Sequence, residues 1–178
     1  MTRSLCSLSR LAVVVLFALV AAPAWADEPA PKKFEGNKPE ATKPAEDGSL
    51  TLPATRCEVY GKTLQYMPED RALGWWNSED DRAVWKLTGV KPGVYEVWFE
   101  WSCADESADE PFILAAGEKK LKGKIPTTGG WAVHKKAKFG TIELPEGDSK
   151  LELRGERKPK EALGDFREIR LTPVAKPK

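Results

Sequence analysis

Apolar and polar positions alternate along much of this chain. Tyr95, Val97, Phe99, Trp101 and Cys103 alternate with Glu96, Trp98, Glu100 and Ser102. Successive side chains of an extended strand point to opposite faces, so a period of two marks a half-buried strand. Ala83, Trp85 and Leu87 alternate in the same way with Arg82, Val84, Lys86 and Thr88, and Leu151 and Leu153 with Lys150, Glu152 and Arg154. Shorter apolar runs at residues 112–114, 121–125, 139–144 and 166–171 read as further strands. Turn signals separate them: Lys91-Pro92-Gly93, Gly117-Glu118, Thr128-Gly129-Gly130 and Pro145-Glu146-Gly147-Asp148. No long segment has the 3.6-residue period of a helix, and residues 159–163 offer a single helical turn at most. The pattern predicts an all-β fold, an antiparallel β-sandwich over residues 50–174.

The two ends of the chain follow other rules. Arg3 and Arg10 border an apolar run at residues 11–20, and Ala24-Trp25-Ala26 places small residues where a signal peptidase reads them. Residues 1–26 are therefore expected to be a cleaved export signal, placing the protein in the periplasm or outside the cell. The run is too short for a stable membrane anchor. Residues 27–49 are rich in Pro, Lys, Glu and Ala with one aromatic, Phe34, which predicts a disordered tether. Residues 175–178 form a short tail. Of the 28 basic residues, Arg3 and Arg10 leave with the signal, so 26 remain against 27 acidic ones. Nucleic acid and anionic membranes attract a basic excess, which this chain lacks.

Catalytic chemistry has few candidates. His134 is the only histidine, there is no Gly-x-Ser-x-Gly elbow, and one His with two strand-embedded Cys does not make a zinc site. Glu79, Asp80 and Asp81 could pair for glycoside hydrolysis, but an acidic loop run is ordinarily a solvated surface. Cys57 and Cys103 sit on the parity of apolar neighbours. They are either a disulfide closing a long loop or two separate buried thiols.

The tryptophans are more informative. Trp85 and Trp101 fall on apolar strand faces and are assigned to the core. Trp75 and Trp76 are adjacent, so in extended chain one is buried while the other faces a loop cleft. Trp98 lies between Glu96 and Glu100 on a polar face, either covered by another segment or available as a platform. Trp131 follows two glycines in a turn. Aromatic rings beside carboxylates at a loop edge suit sugar recognition, since ring faces pack on C–H groups while polar groups take hydroxyls.

Taken in order, Cys57-Glu58-Val59-Tyr60-Gly61, Leu73-Gly74-Trp75-Trp76, residues 81–85, Pro92-Gly93-Val94-Tyr95-Glu96-Val97, Thr128-Gly129-Gly130-Trp131 and residues 165–171 resemble the galactose-binding-like jelly roll of carbohydrate-binding modules of families six and thirty-five. They are especially similar to accessory domains of secreted α-L-fucosidases and sulfatases. The resemblance implies that Trp131 lines a sugar cleft between the sheets, with His134 three positions later where a polar or aromatic residue is common. It also implies that Glu58 and Asp165 lie on neighbouring strands and hold a structural calcium. The expected sugar site is Trp75 or Trp76, Asn77, Asp81, Trp131 and His134. The expected function is non-catalytic glycan binding. A protein-interaction domain without sugar recognition and a small glycan-active enzyme are the competing readings, because one fold hosts many functions.

Overall fold

The computed structural model describes residues 29–175. The expected export signal, the first two residues of the expected tether and the last three of the tail lie outside the described residues. Eleven strands follow in order: β1 (Leu50–Pro53), β2 (Glu58–Tyr60), β3 (Gln65–Met67), β4 (Ala72–Gly74), β5 (Arg82–Val90), β6 (Gly93–Cys103), β7 (Glu110–Ala116), β8 (Lys119–Ile125), β9 (Gly130–Leu144), β10 (Gly147–Gly155) and β11 (Asp165–Pro173). They form two antiparallel sheets. One runs β3-β4-β11-β6-β9 with β1 also paired to β11, and the other runs β2-β5-β10-β7-β8. The expected all-β sandwich is the observed architecture.

The period-two faces meet between the sheets. Tyr95, Val97, Phe99, Trp101 and Cys103 from β6 are all buried, as are Ala83, Trp85 and Leu87 from β5 and Leu151 and Leu153 from β10. Phe99 is the hub of an aromatic cluster, with ring centroids 5.3 Å from Phe112, 4.5 Å from Phe139 and 5.6 Å from Phe166. Phe112 comes from the opposite sheet, so these edge and tilted contacts tie the two layers together. Burying a large apolar side chain of this kind contributes about 1.5–3 kcal/mol. Trp85 and Trp101 lie in the core as expected. Their indole N–H groups donate to Pro53 O and Pro126 O, each at 2.9 Å, which satisfies the one polar atom each ring carries inward. Trp98 is half-buried on the outer face, donating to Glu96 Oε2 at 3.3 Å.

Several expectations are corrected. Residues 29–49 are not a disordered tether but a strap bound along one side of the sandwich. Lys32 N donates to Val59 O at 2.8 Å, Lys38 N to Thr55 O at 2.7 Å and Thr42 N to Lys86 O at 2.8 Å, while Thr88 N donates back to Thr42 O at 3.0 Å. The Asn37 side chain is buried and donates to Ala54 O and Cys57 O, both at 3.0 Å. β2 pairs only with residues 82–84 of β5, so the far half of β5 has an open edge that Thr42 covers. Backbone hydrogen bonds hold this segment, and composition is blind to them. Phe34, its one aromatic, packs partly buried on the core.

The two cysteines are separate buried thiols rather than a bridge. Cys57 Sγ donates to Ala54 O at 3.3 Å and Cys103 Sγ to Ala104 O at 3.4 Å. Burial raises both pKa values, that of Cys103 to about 11, so neither is a thiolate near neutrality. Residues 159–163 form no helical turn; the chain only bends at residues 160 and 161.

Candidate functional site

One end of the sandwich carries a cleft of about 400 Å³ where five chain segments converge, one of them the end of β3 at Met67. Trp75 and Asn77 come from the loop after β4, and Glu106 and Ser107 from the 3₁₀ turn Asp105–Ser107 after β6. Trp131 comes from the start of β9. Glu161 comes from the approach to β11, and Asp165 is the first residue of β11.

Each segment is held in place by identifiable contacts. Trp75 has φ +65°, a left-handed conformation uncommon for a bulky residue. That kink separates two neighbouring rings. Trp75 is 57% exposed and lines the cleft, whereas Trp76 is 1% exposed and packs edge-on against Phe166 at 5.6 Å. Asp81 secures the following loop. Its carboxylate accepts hydrogen bonds from Asn77 N at 3.1 Å, Ser78 N at 2.9 Å and Thr63 N at 2.9 Å, and from the Thr63 hydroxyl. Gly61 lies so close to Asp81 that any Cβ there would collide with it, and its φ of +97° also excludes other residues.

Trp131 is presented by a bulge. In the β6–β9 ladder Cys103 faces Gly130 and Trp101 faces Lys135, so Trp131, Ala132, Val133 and His134 oppose Ser102 alone. The excess residues push outward, and Trp131 is 38% exposed. The turn before it is pinned to β6. Thr128 Oγ1 accepts from Cys103 N at 2.9 Å, and Thr127 Oγ1 donates to Asp105 Oδ1 at 2.5 Å. The same Thr127 hydroxyl accepts from Gly129 N at 3.0 Å, and Gly129 adopts φ +97°.

Three polar side chains lining the cleft have unused capacity. Ser107 is 1% exposed and its Oγ has no hydrogen-bond partner, nor does the buried Oδ1 of Asn77. Asp165 lies against Gly74, where an added Cβ would sit 2.6 Å from its Oδ1. Burial, with a smaller contribution from the negative charge of Asp70, raises the Asp165 pKa to about 7.

Of the residues expected at the sugar site, Trp75, Asn77 and Trp131 line this one cleft, and Asp165 of the expected metal pair lines it with them. The cleft leaves out three others. Trp76 is core. Asp81 is buried and fully engaged by its own loop, so it positions the site rather than facing it. His134 does not line the cleft; it is partly buried in the bulge with its Nε2 unpartnered, and burial followed by the Arg167 charge lowers its pKa. Glu106, Ser107 and Glu161 carry no periodic signal in the sequence, being acidic or small residues in loops, and Met67 ends a three-residue strand too short to show one.

The donor set does not fit one calcium site. Glu58 is on β2 and Asp165 on β11, which belong to different sheets. Glu58 already receives Lys86 Nζ at 2.6 Å and the Tyr60 hydroxyl at 3.0 Å. Among the described residues, no three His, Cys, Asp or Glu side chains gather as metal ligands.

No protein-family profile and no curated protein matches the sequence. Solved structures do match. The C-terminal family 6 module of the Zobellia galactanivorans laminarinase LamC superposes with TM-score 0.56 at 19% identity, over 70% of this chain and 98% of that one. A family 35 carbohydrate-binding module from Clostridium thermocellum gives TM-score 0.58 at 13% identity, over 71% of this chain and 98% of that one. The fold is that of these carbohydrate-binding modules. A Podospora anserina β-(1,4)-mannanase that includes a family 35 module also matches, with TM-score 0.58 at 15% identity over 75% of this chain. The chain spans only 29% of that enzyme's length, against nearly all of the isolated modules.

Proposed function

We propose that this chain is an exported, non-catalytic carbohydrate-binding module whose glycan occupies the cleft lined by Trp75 and Trp131. One observation carries the reading. Two exposed indoles share a cleft with the buried, unpartnered Ser107 Oγ and Asn77 Oδ1, so apolar platforms and unused hydrogen-bonding groups coincide. A buried polar atom without a partner is costly, and a sugar hydroxyl would relieve that cost. The rings would stack on the apolar face of a pyranose. The fold shared with carbohydrate-binding modules supports the same conclusion.

Sites of this size give millimolar to micromolar affinity, about 4–8 kcal/mol. A glycan array followed by calorimetry tests the proposal. Trp131→Ala and Trp75→Ala should each abolish binding while leaving the melting temperature nearly unchanged. A parent chain that binds no glycan would instead favour a protein-interaction domain.

A further inference from the structure

The charge around this cleft narrows the class of ligand. Three of its lining residues are carboxylic acids, Glu106, Glu161 and Asp165, and none is basic. Among the described residues, no hydrogen bond or ion pair engages the Asp165 carboxyl, although it is partly withdrawn from water and next to Gly74. The nearby Arg167 does not serve it. Arg167 Nε donates to Asp70 O at 3.0 Å and its guanidinium reaches toward Glu100 at 4.0 Å. The one charge that acts on Asp165 is acidic, Asp70 on the β3–β4 turn; the Cys103 thiol on β6 is protonated, and Glu106 and Glu161 line the same cleft.

Such a site repels uronic acids and sulfated sugars. It attracts cations, through the carboxylates and through the faces of Trp75 and Trp131, which hold a cation by their quadrupole. The buried Ser107 Oγ, unpartnered at the same cleft, supplies a neutral contact for a neighbouring hydroxyl. Resting on the glycan-binding reading above, we propose that the ligand is a polysaccharide of 2-amino-2-deoxy sugars with free amines, whose ammonium group is taken by Asp165 beside the two indoles.

The raised pKa of Asp165 is consistent with a carboxyl awaiting a cation. An arriving ammonium favours the ionised form, so at a pH low enough for the ligand amine to be already protonated, binding should release a proton from Asp165.

Calorimetry on the full chain at mildly acidic pH, where the ligand amines are protonated, with a β-1,4-linked glucosamine oligomer, its fully N-acetylated counterpart and a β-1,4-glucose oligomer, tests the inference. The glucosamine oligomer should bind about tenfold tighter than either neutral oligomer, as expected for one charge-assisted hydrogen bond. Asp165→Asn should bring the three within about twofold of one another, and Glu161→Gln, a second variant at an exposed position, should narrow the same gap. Repeating the titration in buffers of different ionisation enthalpy should reveal proton release with the amine ligand alone. Equal or tighter binding of a neutral oligomer to the parent overturns the amine inference and leaves glycan binding standing. Failure of every oligosaccharide on the array to bind removes both.

Discussion

Trp131 and Trp76 should respond to truncation in opposite ways. Trp131 stands on a bulge with its ring exposed, so its loss should erase ligand binding and barely move the melting temperature. Trp76 is 1% exposed against Phe166, and Trp76→Ala should cost about 3–5 kcal/mol of stability, read by chemical denaturation. Asp81→Ala would strand the N–H groups of Asn77, Ser78 and Thr63, costing about 1–3 kcal/mol and weakening glycan binding indirectly. A denaturation curve and a binding titration on the same sample separate the two effects. Asp165 should impose a pH dependence of its own. Its folded pKa of about 7 lies above the unfolded value of about 3.9, so the folded state holds the proton more tightly. The resulting stabilisation is full below about pH 4 and is lost as pH rises through about 7. Melting the parent and Asp165→Asn across that window should show the parent losing stability relative to the variant. The residue types at 75, 77 and 131 were legible as a loop-edge site, yet which of Trp75 and Trp76 faces out was not. The positive φ of Trp75 decides that, and it depends on the loop that Asp81 and Thr63 clamp from elsewhere in the chain.

At the scale of elements, the strap is the main departure from the sequence pattern. Low apolar content predicts disorder when side-chain burial is the only source of stability considered. Residues 29–49 instead satisfy backbone groups at the open side of β2 and β5, with Asn37 and Phe34 as anchors. A chain beginning at Leu50 should therefore melt well below the longer one, since each of these hydrogen bonds contributes about 1 kcal/mol. Limited proteolysis of the full chain should leave residues 29–49 uncut. β11 shows a milder departure. Phe166, Ile169 and Leu171 are all buried although the first two are three residues apart, because a bulge between Phe166 and Glu168 shifts the parity.

For the whole molecule, calcium should leave the melting midpoint unchanged relative to chelator, because the Lys86 ammonium already occupies Glu58 and the other carboxylate lies in the opposite sheet. A bound ion at a hundredfold excess over its dissociation constant would raise stability by about 2.7 kcal/mol, so the comparison is sensitive. The sequence by itself determined the all-β class, the core faces of β5, β6 and β10, the loop origin of Trp75 and the glycine turn that leads into Trp131. Those are local properties: a two-residue period and turn chemistry depend on neighbours in the chain. Only the tertiary structure decided the strap, the separation of Cys57 from Cys103, the burial of Asp81 and Trp76, and the meeting of Asp165 and Ser107 with the two exposed tryptophans. Each of those depends on which strands become neighbours, and strand pairing across a sandwich is set by packing between residues far apart in sequence.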